Sequence, residues 1–163
     1  MLTTLITAAV AIVATLLGSV VSGRFQERAA ERAVRATHDA TIRREQLRAV
    51  TELACTVSTH RTAIWKRGDA VLQRASDERI ADLRTRGHDT RALVAHPLTT
   101  LRVLIEDQGV RAAADRMIAL TYEMHGAWST RDGLTSARLA AVAAHDAFVD
   151  VAGRYVRSPV YPV

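Results

Sequence analysis

At 163 residues with one cysteine, the chain is long enough for a single domain and cannot form an internal disulfide. Aromatic residues are only 4% while Ala, Arg, Leu and Val dominate, a bias that disfavours sheets and predicts an all-α protein. The net charge is +5, yet of the 22 basic residues only Lys66 is Lys and Asn is absent, which reflects coding composition and is no argument for nucleic acid.

The chain opens with twenty positions, Leu2 to Val21, that carry no ionisable side chain. As an α-helix this block would reach about 30 Å, the thickness of a bilayer's hydrocarbon core. A cleaved signal would have Lys or Arg before a shorter apolar stretch, and only Met1-Leu2-Thr3-Thr4 stand in front here. Residues 1–23 are therefore expected to form a single transmembrane helix. Ala14, Gly18 and Ser22 recur at four-residue intervals, a stripe of small side chains that would let two such helices approach and form a homo-oligomer.

Residues 24–46 follow as a basic helical stalk, with seven Arg against Glu27, Glu31, Asp39 and Glu45 between positions 24 and 48. Cationic flanks stay on the cytoplasmic side, so the amino terminus is expected outside and the rest of the chain in the cytoplasm. Arg24, Arg28, Arg32 and Arg35 would meet the anionic lipid headgroups of the cell membrane, at about 1 kcal/mol per charge close to the surface.

Residues 47–157 read as an antiparallel helical bundle. No Gly or Pro interrupts Arg24 to Arg67, and Leu47, Val50, Leu53 or Ala54, Val57 and Ile64 with Trp65 recur in steps of three and four. Gly68-Asp69 is the first expected stop. A second register, Ile80, Leu83, Gly87, Val94, Leu98, Leu101 and Ile105, predicts one helix from Ser76 to Asp107, kinked or broken near Pro97. Asp107 is placed to cap a third, whose face is Val110, Ala113, Ala114, Met117, Leu120, Tyr122 and Met124. Ser129, Thr130 and Asp132 precede a fourth, Leu134 to Val156, with Leu139, Val142, Phe148, Ala152 and Tyr155 inward. Residues 158–163, with two prolines, form a frayed tail.

None of the six histidines shows a spacing that puts two metal ligands on one helical face, no Gly-rich loop cradles a phosphate, and no nucleophile has a strand-turn-helix setting. The chain is read as no enzyme, with no cofactor and no direct contact with nucleic acid. Cys55 lies in the apolar pattern and reads as a small buried hydrophobe. Arg61 falls on or beside the buried face, where a guanidinium needs a carboxylate such as Glu123 or Asp146, and Trp65 could stack on it. That group is structural.

The uncharged block, the Arg-rich stalk, the segment "HRTAIWKRGDA" from His60 to Ala70 and "HPLTTLRVLIEDQGVRAAADRMIALTYEMH" from His96 to His125 together resemble the small KilB-like spread proteins. These belong to plasmids and mobile elements of Streptomyces and its actinobacterial relatives. The resemblance covers most of the chain and implies membrane association and a part in spreading conjugative plasmids, alongside other plasmid-transfer proteins. It supplies no catalytic residues. The residues thus point to a non-enzymatic membrane adaptor acting through helix-helix contacts. The rival readings are a phage-type, spanin-like lysis protein and a soluble helical scaffold.

Overall fold

The computed structural model describes the chain from Leu2 to Ser158, with side chains described from residue 30 onward. It contains five α-helices: α1 (Leu2–Leu72), α2 (Asp77–Ala92), α3 (Ala95–Leu104), α4 (Gln108–Glu123) and α5 (Arg131–Arg157), with a short 3-10 turn at Met124–Ala127. No strand occurs among the described residues, and the fold is all-α. Contacts divide the chain into two units, Met1–Ile42 and Arg43–Val163.

In the first unit the described residues are exposed helix, and Glu31 sits 3.9 Å from Arg35 one turn later. Among the described residues no helix is long and apolar enough to cross a membrane. The apolar block read as the span, Leu2 to Val21, has its side chains outside the described residues, as does the tail from residue 159.

The second unit is a bundle whose direction can be followed from residue pairs. Thr90 of α2 meets His60 of α1, and further along the carbonyl of Leu104 at the end of α3 accepts from Gln46 at 3.0 Å. The α2–α3 arm therefore runs back along α1. Tyr122 near the end of α4 packs edge-on to His60, so α4 returns parallel to α1. Arg131 at the start of α5 pairs with Asp69, and Arg138 lies over Trp65, so α5 is antiparallel to α1. α4 packs directly on α5.

One interior stripe of α1, Leu53, Val57, His60, Ile64 and Gly68, carries the packing. Leu53 and Val57 join Leu101, Ile105, Val110, Met117 and Phe148 in the larger cluster; Ile64 joins Met124, Leu134 and Ala141 in the smaller. α1 does not stop at Gly68. A Cβ there would lie 2.7 Å from the indole of Trp128, so the missing side chain admits the ring while the helix continues. The helix ends instead in a Schellman turn, with Ala75 N–H donating to Ala70 O and Arg74 N–H to Val71 O, both at 3.0 Å.

Pro97 occupies the first turn of α3, where a backbone N–H has no intrahelical acceptor and its loss costs nothing. The interruption falls one turn earlier, at Leu93–Val94, because the ring excludes the carbonyl four residues back. Both residues keep right-handed dihedrals, so α3 holds the phase of α2 and Leu83, Val94, Leu101 and Ile105 are all buried. Asp107 caps α4 by accepting from Val110 N–H at 2.8 Å, and Thr130 caps α5 by accepting from Gly133 N–H at 3.0 Å. The exposed carbonyls ending α3 are taken by Arg111, which donates to Ile105 O at 2.7 Å and Arg102 O at 2.6 Å.

Two inward assignments are corrected. Leu139 is 64% exposed, since the stripe of α5 that reaches the core is Leu134, Ala141, Ala144, Phe148 and Ala152. Alanine is chosen there because it allows α5 close to its neighbours. Leu47 is likewise 53% exposed, one turn beyond the first buried residues of α1.

Arg74 holds φ 55°, a left-handed conformation in which a Cβ crowds the following carbonyl. Its side chain is exposed, so the Arg74→Gly variant removes that strain without disturbing the core, and should raise folding stability by about 1 kcal/mol. Chemical denaturation of both proteins in one buffer checks this; a lower midpoint for the glycine variant would contradict it.

Candidate functional site

A trough runs between α1 and α5. On α1 it follows Leu47, Val50, Ala54 and Ser58, and on α5 it follows Val149, Ala152, Gly153 and Val156, two ladders at helical spacing on adjacent helices. Small side chains at its base leave about 650 Å³ of open, largely apolar space. Leu47 and Val149, the latter 41% exposed, stand free along it. Its shape and chemistry fit the apolar face of an amphipathic helix.

Cys55 is exposed and lines this trough, contrary to the expectation that it is buried. It is one residue past Ala54, so about 100° of helical rotation turns it off the core stripe.

A different face of α1 forms a cleft with α2 and the 3-10 turn. It encloses about 200 Å³, and its polar lining is three guanidiniums, Arg67, Arg84 and Arg91, and three imidazoles, His60, His88 and His125, with no carboxylate. Arg67 is held 4.8 Å from the centre of the Trp128 ring and Arg91 at the same distance over Tyr122. His125 tilts against Trp128 with ring centroids 5.2 Å apart.

His60 is 1% exposed. Its Nδ1 lies 2.9 Å from Thr90 Oγ1, and that hydroxyl is already 2.9 Å from Arg86 O and 3.1 Å from Gly87 O. Carbonyls only accept, so the Thr90 proton goes to them and its oxygen accepts from His60 Nδ1–H. The neutral ring then presents an unprotonated Nε2, which has no hydrogen-bond partner. Burial first, then His125 and Arg91, push the His60 pKa down from 6.5 to about 4. Burial, then Arg67, Arg91 and His88, lower His125, and burial with Arg84 lowers Arg67.

The residues singled out from sequence are placed differently. Arg61 donates from Nη2 to Ser58 Oγ at 3.1 Å and has no carboxylate partner among the described residues. Burial and Arg138 lower its pKa while Asp146 raises it. Trp65 is covered by Arg138 at 4.5 Å instead of by Arg61. Glu123 is exposed, and Asp146 accepts from His145 Nδ1 at 3.2 Å. The structure thus does not join Arg61, Trp65, Glu123 and Asp146 into one group, because the stripe passes through His60 and leaves Arg61 at the rim. Arg32 and Arg35 are exposed; Arg24, Arg28, Ala14, Gly18 and Ser22 lie outside the described side chains. Sequence reasoning missed the basic cleft, although Arg84, His88 and Arg91 at steps of four and three put three cationic residue types on one face of α2.

The unfolded chain takes up the His60 proton near pH 6.5 and the folded chain near pH 4, so between these values the unfolded state binds more protons. The stabilisation is complete above pH 6.5 and is lost as the pH falls toward 4. From pH 7.5 to pH 5 this residue should remove about 2 kcal/mol of folding stability. Urea unfolding at the two pH values, in the natural sequence and in His60→Gln, checks the prediction. An identical pH dependence in both would contradict it.

No solved structure matches the chain. The family described as KilB plasmid transfer protein matches residues 47–156, the segment that holds both the trough and the cleft. Protein KilB of Streptomyces lividans is 36% identical over 145 residues, covering 82% of this chain and 95% of that protein. With the bundle, its arginine-rich helices and this match in agreement, the chain belongs to the KilB plasmid transfer protein family.

Proposed function

We propose that this chain is a non-enzymatic, membrane-anchored adaptor in the transfer of conjugative plasmids, working through helix-helix contacts. The observation that carries this reading is the apolar trough between α1 and α5 in a member of a plasmid-transfer family. The apolar block Leu2 to Val21 serves as the anchor, with small-residue pairing through Ala14, Gly18 and Ser22, and the arginines from Arg24 to Arg35 meet anionic lipid on the cytoplasmic face.

The trough's occupant is an amphipathic helix of another transfer protein. A concave trough is not complementary to a second copy of itself across a two-fold axis. The described helices also have no stripe to spare: the exposed large apolar residues Val34, Ile42, Leu93, Val103 and Leu139 are scattered.

The single cysteine lies in the trough, so a photo-crosslinker attached to Cys55 reports its occupant in native membranes. The expected product joins this chain to a different transfer protein. Val149→Glu puts a charge at the exposed edge, and should reduce the adduct and plasmid spread at least about tenfold at equal protein level. A homodimer as the sole adduct, or undiminished spread, would overturn the assignment. Alkaline phosphatase fused to the carboxyl terminus should be inactive; activity there would favour a spanin-like protein facing outward.

A further inference from the structure

The cleft of α1, α2 and the 3-10 turn gathers cations that the rest of the protein leaves unneutralised. None of Arg67, Arg84 and Arg91 forms an ion pair among the described residues, whereas Arg79, Arg86, Arg102 and Arg131 all do. Two of the three guanidiniums are immobilised against aromatic rings, which fixes their planes without cancelling their charge. Arg67 Nε and His60 Nε2 are both buried and unpartnered, and both belong to residues that line this space. Mutual repulsion on this scale costs stability unless something negative enters.

We infer that this cleft binds a phosphate-type dianion, with the guanidiniums of Arg67, Arg84 and Arg91 as donors and the imidazole of His60 at its floor. Planar guanidiniums match the paired oxygens of a phosphate group, and a metal cation would be repelled by all three. At about 200 Å³ the space is smaller than the roughly 300–1,000 Å³ of drug-sized ligand sites, so it takes an inorganic ion or a terminal phosphomonoester. His60 Nε2 accepts a hydrogen bond from a protonated phosphate oxygen, or takes a proton and donates once the dianion offsets Arg91 and His125. Gly87 keeps the mouth open: no atom lies within 4 Å of a Cβ added there.

The same chemistry is offered by free phosphate and by the headgroup of phosphatidic acid, and separate titrations distinguish them. The full chain in non-ionic detergent is titrated calorimetrically at constant ionic strength with inorganic phosphate, with short-chain phosphatidic acid and with chloride. Binding of phosphate and not chloride supports the site; phosphatidic acid binding more tightly than phosphate supports it and assigns the headgroup as its source. Arg84→Ala, an exposed position, should weaken binding about tenfold, and Gly87→Leu should abolish it with thermal unfolding unchanged. Sulfate, which does not titrate near neutrality, should move His60 protonation, followed by ring nitrogen NMR, to higher pH. Heats equal to those of chloride, or unaltered binding in both variants, would overturn the assignment.

Discussion

The close seating of helices against one stripe of α1 is the constraint on which residues 43–163 depend. Leu53, Val57, His60, Ile64 and Gly68 step along the helix at intervals of four, three, four and four, and each meets a different layer. His60 is the polar member, and its hydrogen bond to Thr90 and edge contact with Tyr122 tie α2 and α4 to the same point. Gly68 is the smallest member, and Trp128 fills the space where its side chain would stand. With so few aromatic residues the interior is filled by Leu, Val, Ile, Met and Ala, so the helices must sit close for the core to be dense.

Much of this is legible in the sequence because it rests on local chemistry. Periodicity places four bundle arms, and a carboxylate before an apolar run identifies Asp107 as a cap because the N–H groups of a first turn need an acceptor. Features that depend on a partner helix are not legible. Nothing local separates His60 from Arg61, since both follow Val57 by an allowed step; what decides is that an imidazole can be buried neutral and a guanidinium cannot. Leu139 outranks Ala141 on any hydrophobicity scale, and only the distance between helices selects the alanine. Gly68 reads as a stop until Trp128 is seen against it, while Arg74, with nothing local to favour φ 55°, ends the helix instead.

The arginine bias has a structural outlet that composition alone does not reveal. Both tryptophans carry a guanidinium on the ring, Arg67 on Trp128 and Arg138 on Trp65, and Tyr122 carries Arg91. Such contacts contribute about 0.5–1 kcal/mol each where exposed, comparable to a surface ion pair, and they leave the positive charge in place. Lysine would not substitute, because a flat delocalised cation is what stacks. The consequence is a bundle whose cations are ordered but not neutralised, concentrated where α2 faces α1.

α1 therefore presents three faces with three chemistries: the packed stripe, the apolar trough around Ala54 and Ser58, and the basic cleft around Ala63 and Arg67. At about 100° per residue the trough and the cleft lie roughly 130° apart on the helix, and no side chain lines both. A ligand in one has no direct contact with an occupant of the other, so any coupling between them must pass through His60 and the packed stripe. Both faces lie within residues 47–156, the segment shared with the family, whereas the apolar block precedes it. Recognition is thus concentrated in the bundle. Any role of the first twenty residues in location can be altered by mutation without touching a side chain of either surface.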